Sequence, residues 1–260
     1  MTIFQAIVYG IVQGIGEFLP ISSTAHLVLV PWLFGWTDPG VVFDVALHLG
    51  TAAAVILFFI KDWLNLIHSG FTKPKTKEGK LFWFLVLATV PGALLGVLLD
   101  KYMENFRNPA LIGVMLIIMG IILYFADKFG KRETEVEEIG AKQSILIGIA
   151  QVFAVIPGVS RSGVTMSVGR ILGITREGIA RFTFLLSAPI ILGDALYHAK
   201  GLIHTSIDKV PFITAMVTAA VVGVLSIKFL LDYLKTKGFG IFAVYRFILG
   251  AFVIVLYFLR

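Results

Sequence analysis

Cysteine is absent from the 260 residues. Disulfides, thiolate nucleophiles and Cys-based metal centres are therefore excluded, while the compartment stays open. Charge is scarce as well: Asp, Glu, Lys and Arg make up 15% of the chain, against about 25% in an ordinary soluble domain. Short segments of alternating polar and apolar residues, the mark of an outer-membrane barrel, are also missing. What the sequence has in abundance is apolar residues, 58% of the total, with a mean hydropathy of +0.92, in recurrent long runs. That combination predicts an all-α integral membrane protein with several spans. The net charge of +6 is then assigned to cytoplasmic loops, and no nucleic-acid partner is expected. The first apolar stretch lacks a basic leader and carries Gln13 and Glu17, so it is expected to stay in the protein rather than be cleaved.

Two apolar blocks are interrupted by polar residues in a way that a clean span would not be. Residues 3–33 contain Gln13, Glu17, Pro20, Ser22, Ser23, Thr24 and His26. They read as two half-helices with a break at Pro20 to Ser23. Residues 143–172 contain Pro157-Gly-Val-Ser-Arg-Ser-Gly-Val-Thr165, where Pro and Gly break the helix and Arg161 sits among hydroxyls. A cation at bilayer depth costs about 2.5–3.5 kcal/mol on insertion scales and needs a partner or a task. Broken backbone is tolerated there only where it is packed in protein or lines a wet cavity. Full spans are expected at 42–60, 81–99, 110–126, 179–199, 212–231 and 240–259, with a loop at 61–80 and a charged connection at 127–142. The fold expected is a single membrane domain, 1–260, of about six transmembrane helices plus two re-entrant helix pairs.

The blocks resemble each other. Gln5, Gly10 and Gln13 recur as Gln143, Gly148 and Gln151 at an offset of 138, and Pro20 and Ser23 recur as Pro157 and Ser160 at 137 after one deletion. Each block precedes three spans, so halves at approximately 1–130 and 140–260 would enter the membrane in opposite senses, an inverted-topology repeat. Placing loop 61–80 in the cytoplasm puts fifteen Lys and Arg inside and five outside, the bias that orients membrane proteins. Arg161 and Arg246 fall within apolar segments and stand outside that count.

Both breaks would then meet near the midplane, with Gln13, Glu17, Ser22, Ser23 and His26 from one and Ser160, Arg161, Ser162 and Thr165 from the other. A carboxylate with hydroxyls, an imidazole and a guanidinium suits phosphoryl transfer: a nucleophile, a proton acceptor, a cation for developing charge and a metal ligand. Plainer readings stand beside this one. Glu17 and Arg161 could form a buried structural ion pair; His26 could be a hydrogen-bonded core histidine; Ser22 and Thr24 could be helix caps. His48 could face the cavity or pack, Arg246 could pair with lipid phosphate or Asp232, and His198 and His204 read as solvated.

Gln13-Gly-Ile-Gly-Glu17, Phe18-Leu-Pro-Ile-Ser-Ser-Thr-Ala-His26 and the Pro157–Thr165 stretch resemble the signatures of the undecaprenyl-diphosphate phosphatase family, the bacitracin-resistance proteins. His48 to Thr51 and Phe182 to Ser187 are similar to two further family stretches. The resemblance implies an enzyme of the bacterial plasma membrane, with its site open to the outer face, that hydrolyses undecaprenyl diphosphate to undecaprenyl phosphate. This recycles the carrier for wall polymers and confers bacitracin resistance. It implies a divalent cation, Mg2+ or Ca2+, held by Glu17 and Gln13. It implies catalytic roles for Glu17, Ser23, His26 and Arg161, with the nucleophile either Ser23 or His26. Ser22, Ser160, Ser162 and Thr165 would bind substrate. The partners expected are a polyprenyl diphosphate and membrane lipids. The sequence leaves room for a homodimer, and for a transporter or flippase of prenyl phosphates as the alternative function.

Overall fold

The computed structural model describes residues 1–99, 106–131, 133–204 and 208–260, without the side chains of 41–42 and 198–204. The side chains of His198 and His204, expected to be solvated, lie outside the described residues. In chain order the helices are α1 (Ile3–Phe18), α2 (Ser23–Phe34), α3 (Val41–Phe58), α4 (Ile60–Thr72), α5 (Lys77–Leu99), α6 (Pro109–Phe129), α7 (Ala141–Ala150), α8 (Arg161–Ile171), α9 (Arg176–His204), α10 (Lys209–Leu234) and α11 (Gly240–Leu259). Short 3₁₀ turns occupy Val136–Glu138 and Gln151–Val155. Among the described residues five helices, α5, α6, α9, α10 and α11, are long and apolar enough to cross a membrane, and α3 with α4 makes a sixth span if the bent pair counts as one. Large apolar side chains such as Leu94, Phe129, Leu225 and Phe258 are exposed on them, as a lipid-facing surface requires. The chain is a multi-pass α-helical membrane protein.

The loop expected at 61–80 is instead largely helix. α4 leaves α3 at 76° and buries Leu66, Ser69 and Gly70 while Leu64, Asn65 and Ile67 stay exposed. That three- and four-residue spacing is helical; the polar residues between hid it. Arg181 pairs with Asp62, and the Trp83 indole donates to the Gly70 carbonyl at 2.9 Å, so α4 is tied to α9 and α5.

Both interrupted blocks are broken helices. The 16 residues of α1 rise only about 24 Å, short of the roughly 30 Å core. Leu19 is extended (φ −72°, ψ 144°) because Pro20 disfavours helix in the residue before it. α2 and α8 then begin with Ser22 and Ser160 as N-caps, and these are the only non-glycine residues with positive φ among the described residues, at 76° and 73°. The two serines lie 138 apart, so the offset set by the glutamines continues through the break; the deletion inferred from sequence is not needed. Gln5 and Gln143, also 138 apart, each accept from the amide three residues before at 2.9 Å.

The first helix of each block packs on a long span of the other half. α1 lies on α10, and α7 on α5. A Cβ at Gly10 would stand 2.7 Å from the Ala215 carbonyl, and one at Gly148 would stand 2.9 Å from Ala88 Cα. These contacts need glycine because the backbones touch.

The tips of the breaks meet. Gly158 N donates to Ser22 Oγ at 3.2 Å, and Ser162 Oγ donates to the Leu19 carbonyl at 3.1 Å. Arg246 of α11, fully buried, donates to the carbonyls of Pro20 (3.1 Å), Gly158 (2.5 Å) and Val159 (3.1 Å). It pairs with neither lipid nor Asp232, whose carboxylate accepts from Lys235 at 2.8 Å. Two cations counted as loop charges are also internal. Asp127 Oδ1 accepts from Arg170 (3.3 Å) and Arg176 (2.6 Å), and its Oδ2 accepts from Phe239 N at 2.9 Å.

Asp127→Ala leaves Arg170 buried without its carboxylate, so it should cost about 3–5 kcal/mol and lower the unfolding midpoint in detergent. Asp232→Ala removes an exposed pair and should leave the midpoint unchanged. Thermal unfolding followed by circular dichroism reads both.

Candidate active site

The last turn of α1 and the first turns of α2 and α8 converge on one cavity of about 710 Å³. Its polar lining includes Glu17, Ser23, Asp44, His48, Arg107, Ser160, Arg161 and Asp194. Leu27, Val28, Ala93, Val97, Ile190 and Ile191 supply apolar walls. The first turns of α2 and α8 supply Ser23 and Thr24, and Arg161, with the cap residue Ser160. Helix N-termini present amide donors and a positive dipole end, so the cavity favours an anion.

Glu17 is the hub. Its Oε2 accepts from Ser23 Oγ at 2.7 Å and from Gln13 Nε2 at 3.1 Å. His48 Nε2 lies 3.7 Å from the same oxygen. Arg161 Nη2 pairs with Oε1, while Arg161 Nη1 donates to the Ser187 carbonyl at 3.1 Å. Glu17 is 6% exposed and Arg161 14%. A carboxylate this buried needs full pairing, and here it receives a guanidinium and two neutral donors. Gly16 permits the arrangement: a Cβ there would meet Ser23 Cα at 2.8 Å. The ion pair read from sequence as the plain alternative is therefore present, and it faces the cavity.

The structure brings Gln13, Glu17, Ser23 and Arg161 together, with buried Ser160 on the lining of the same cavity. Other residues expected at the site point elsewhere. Thr165 Oγ1 bonds to the carbonyls of Arg161 (2.8 Å) and Ser162 (3.2 Å) and to Thr183. Ser162 bonds to Leu19, as above, and Ser22 caps α2 through Ala25 N at 3.3 Å. His26 turns from the cavity. Its Nδ1 sits 2.7 Å from the Ser22 carbonyl and its Nε2 2.7 Å from Tyr245 Oη, and the two rings stack at 6°. The expected partnership of Ser23 with His26 is replaced by that of Ser23 with Glu17.

Sequence reasoning passed over Asp44, Arg107 and Asp194 on the cavity lining. Asp194 carried the clearest signal, a carboxylate within the apolar run of α9. Arg107 lies 2.6 Å from Asp38 and 3.6 Å from Asp44, a connection to a loop and to the first turn of α3 with no local pattern. Thr51 Oγ1 receives Gln13 Nε2 at 3.5 Å.

A divalent cation has a limited donor set here. Among the described residues no three His, Asp or Glu side chains form a metal-holding group. Gln13 Oε1, however, is buried without a hydrogen-bond partner, on a side chain that touches Glu17. These two residues fit a hard cation that brings most of its oxygen ligands from a bound phosphate.

If Glu17 and Arg161 interact as the geometry shows, Glu17→Gln and Arg161→Met should not add. A double-mutant cycle on unfolding in detergent should give a coupling of about 0.5–3 kcal/mol; additive effects would contradict the pairing.

The sequence profile of the family described as "Bacitracin resistance protein BacA" matches residues 6–252. The undecaprenyl-diphosphatase of Pelotomaculum thermopropionicum is 55% identical over 257 residues, covering 98% of this chain and 97% of the relative. That of Caldicellulosiruptor bescii is 51% identical, covering 100% and 99%, and that of Moorella thermoacetica 49%, covering all of both. By a profile match over most of its length and by full-length relatives at 49–55% identity, the chain belongs to the bacitracin resistance protein BacA family.

Proposed function

We propose that the protein hydrolyses undecaprenyl diphosphate to undecaprenyl phosphate and inorganic phosphate in the bacterial plasma membrane. The activity recycles the lipid carrier of wall synthesis and confers bacitracin resistance. The observation that carries this reading is a serine hydroxyl 2.7 Å from a buried carboxylate, beside a guanidinium at an anion-favouring cavity. The names of the full-length relatives support the substrate.

In the resting site Arg161 is held by Glu17. A diphosphate entering the cavity offers Arg161 a doubly charged partner, and the guanidinium turns to it. Glu17 is then free to accept the Ser23 proton. Ser23 Oγ attacks the terminal phosphorus, the bond to the bridging oxygen breaks, and undecaprenyl phosphate leaves with that electron pair. Its phosphate is a good leaving group and needs no proton. Glu17 gives the proton taken from Ser23 to solvent; water then attacks the phosphoserine and gives a proton to Glu17, the bond from phosphorus to Ser23 Oγ breaks, and inorganic phosphate leaves as Glu17 returns that proton to Ser23. Arg161 and the first-turn amides of α2 and α8 stabilise the charge on the transferring oxygens. Glu17 and Gln13 Oε1 would hold a Mg2+ or Ca2+ ion that arrives with the substrate. Such an ion neutralises diphosphate charge.

The apolar walls, among them Val28, Val97 and Ile191, suit the first prenyl units. Arg107 and Asp44 line the same cavity, on the side opposite the basic residues of α4 and the turn after it. The positive-inside rule thus supports the reading of a cavity open to the outer face.

Phosphate release from a prenyl diphosphate in detergent tests the reading. Ser23→Ala, Glu17→Gln and Arg161→Ala should each lower kcat at least about 100-fold, and a chelator should stop release until Mg2+ or Ca2+ is restored. His26→Asn keeps a donor for the Ser22 carbonyl and should stay within about tenfold of wild type; complete loss would return the nucleophile to His26. Lipid movement between leaflets without phosphate release would favour a transporter.

A further inference from the structure

We propose that Tyr245 and Arg246, consecutive residues of α11, are positioning residues for phosphoryl transfer, and that His26 works with them rather than on the substrate. The inference rests on the reading of the cavity as a phosphatase site.

Ser23 and Arg161 approach Glu17 only because two chain breaks end in strained caps. Ser22 and Ser160 hold positive φ angles without being glycine, a conformation that persists only where its surroundings impose it. α11 supplies those surroundings. Arg246 Nη1 takes the carbonyl of Pro20, two residues before the first cap. Its Nη2 takes the carbonyls of Gly158 and Val159, the two residues before the second cap. Tyr245 Oη meets His26 Nε2, and His26 Nδ1 meets the carbonyl of Ser22 itself. One guanidinium and one phenol therefore hold the backbone on the approach to both catalytic side chains. Gly163 marks the fit: a Cβ there would lie 2.8 Å from Arg246 Nη1.

A residue that only packs α11 against its neighbours would need no such aim. Three of the four Arg246 acceptors lie in the breaks, the fourth being the Leu116 carbonyl at 3.4 Å. The planar fork of arginine spans separate carbonyls in a way that lysine cannot. Displacing either cap by about 1 Å would misalign the nucleophile or the guanidinium, which can cost about 100-fold in rate.

The experiment measures kcat and KM for phosphate release by Arg246→Gln, Arg246→Lys, Arg246→Ala and Tyr245→Phe in the full-length protein, with the unfolding midpoint of each. The expected result is a fall in kcat of about 100-fold for Arg246→Gln with KM within about threefold of wild type. Arg246→Lys should recover part of the loss, free guanidinium should raise the kcat of Arg246→Ala but not that of Ser23→Ala, and Tyr245→Phe should show a smaller fall in kcat alone. Folded Arg246→Gln with wild-type kcat, or a loss confined to KM, overturns the proposal. Should the Arg246 variants not fold, Tyr245→Phe decides, because it removes one hydroxyl from a partly exposed side chain; wild-type kcat there overturns it.

A second readout is independent of hydrolysis. The chain lacks cysteine, so spin labels can be placed through Phe34→Cys and Ile171→Cys, exposed positions on α2 and α8. Arg246→Gln should broaden the distance between them in pulsed electron paramagnetic resonance, and an unchanged distribution overturns the proposal. A wild type that releases no phosphate while the labels respond would sink the phosphatase reading and leave the clamp standing.

Discussion

Where a helix breaks inside a membrane, its freed carbonyls and amides have no water to bond. The two breaks here are satisfied largely by each other and by one side chain. Ser22 receives an amide from the second break, Ser162 donates to a carbonyl of the first, and Arg246 takes carbonyls from both. Neither break could be repacked alone, since each supplies the other's partners. The position of α11 follows from this demand, as do the close contacts of α1 on α10 and α7 on α5, which bring the two tips together.

The same packing decides the electrostatics. Meeting tips place Glu17 of one break beside Arg161 of the other, in a site too buried for either charge to stand alone. Arg161 is therefore held by a carboxylate whose place a phosphate can take. The serine hydroxyl on Glu17 and the amides of two helix starts complete a cavity whose resting bonds already resemble those needed during transfer. The network around Asp127 plays a contrasting part: Arg170 has no side-chain exposure and is bonded on several sides, which suits a fixed support rather than a site of exchange.

Much of this was legible in the sequence, for identifiable reasons. Polar residues inside apolar blocks are costly in a membrane, so Glu17, Ser23 and Arg161 stand out as candidates, and the family resemblance adds their roles. Proline and glycine marked the breaks, and the glutamines marked the correspondence between the blocks. Residues whose roles depend on distant backbone were not legible. Arg246 stood out as a cation within an apolar segment, but its partners did not, because carbonyl acceptors leave no trace in side-chain identity. His26 carried the chemistry of a catalyst, and only the rotation of α2 shows that it faces Tyr245. Ser162 and Thr165 look like phosphate ligands in composition, yet their hydroxyls satisfy nearby backbone and a neighbouring threonine. The helix α4 was hidden by the polar residues between its buried positions, which masked a regular pattern of burial.

The location of Arg246 has a consequence for how the protein is made. A ribosome delivers α11 after every other helix described here, so both broken pairs enter the membrane before their shared donor exists. Until then the carbonyls of Pro20, Gly158 and Val159 need temporary partners, from water or from the insertion machinery. The active geometry therefore belongs to the final stage of biogenesis. A chain stalled before residue 246 would carry Glu17, Ser23 and Arg161 without the means to hold them in register.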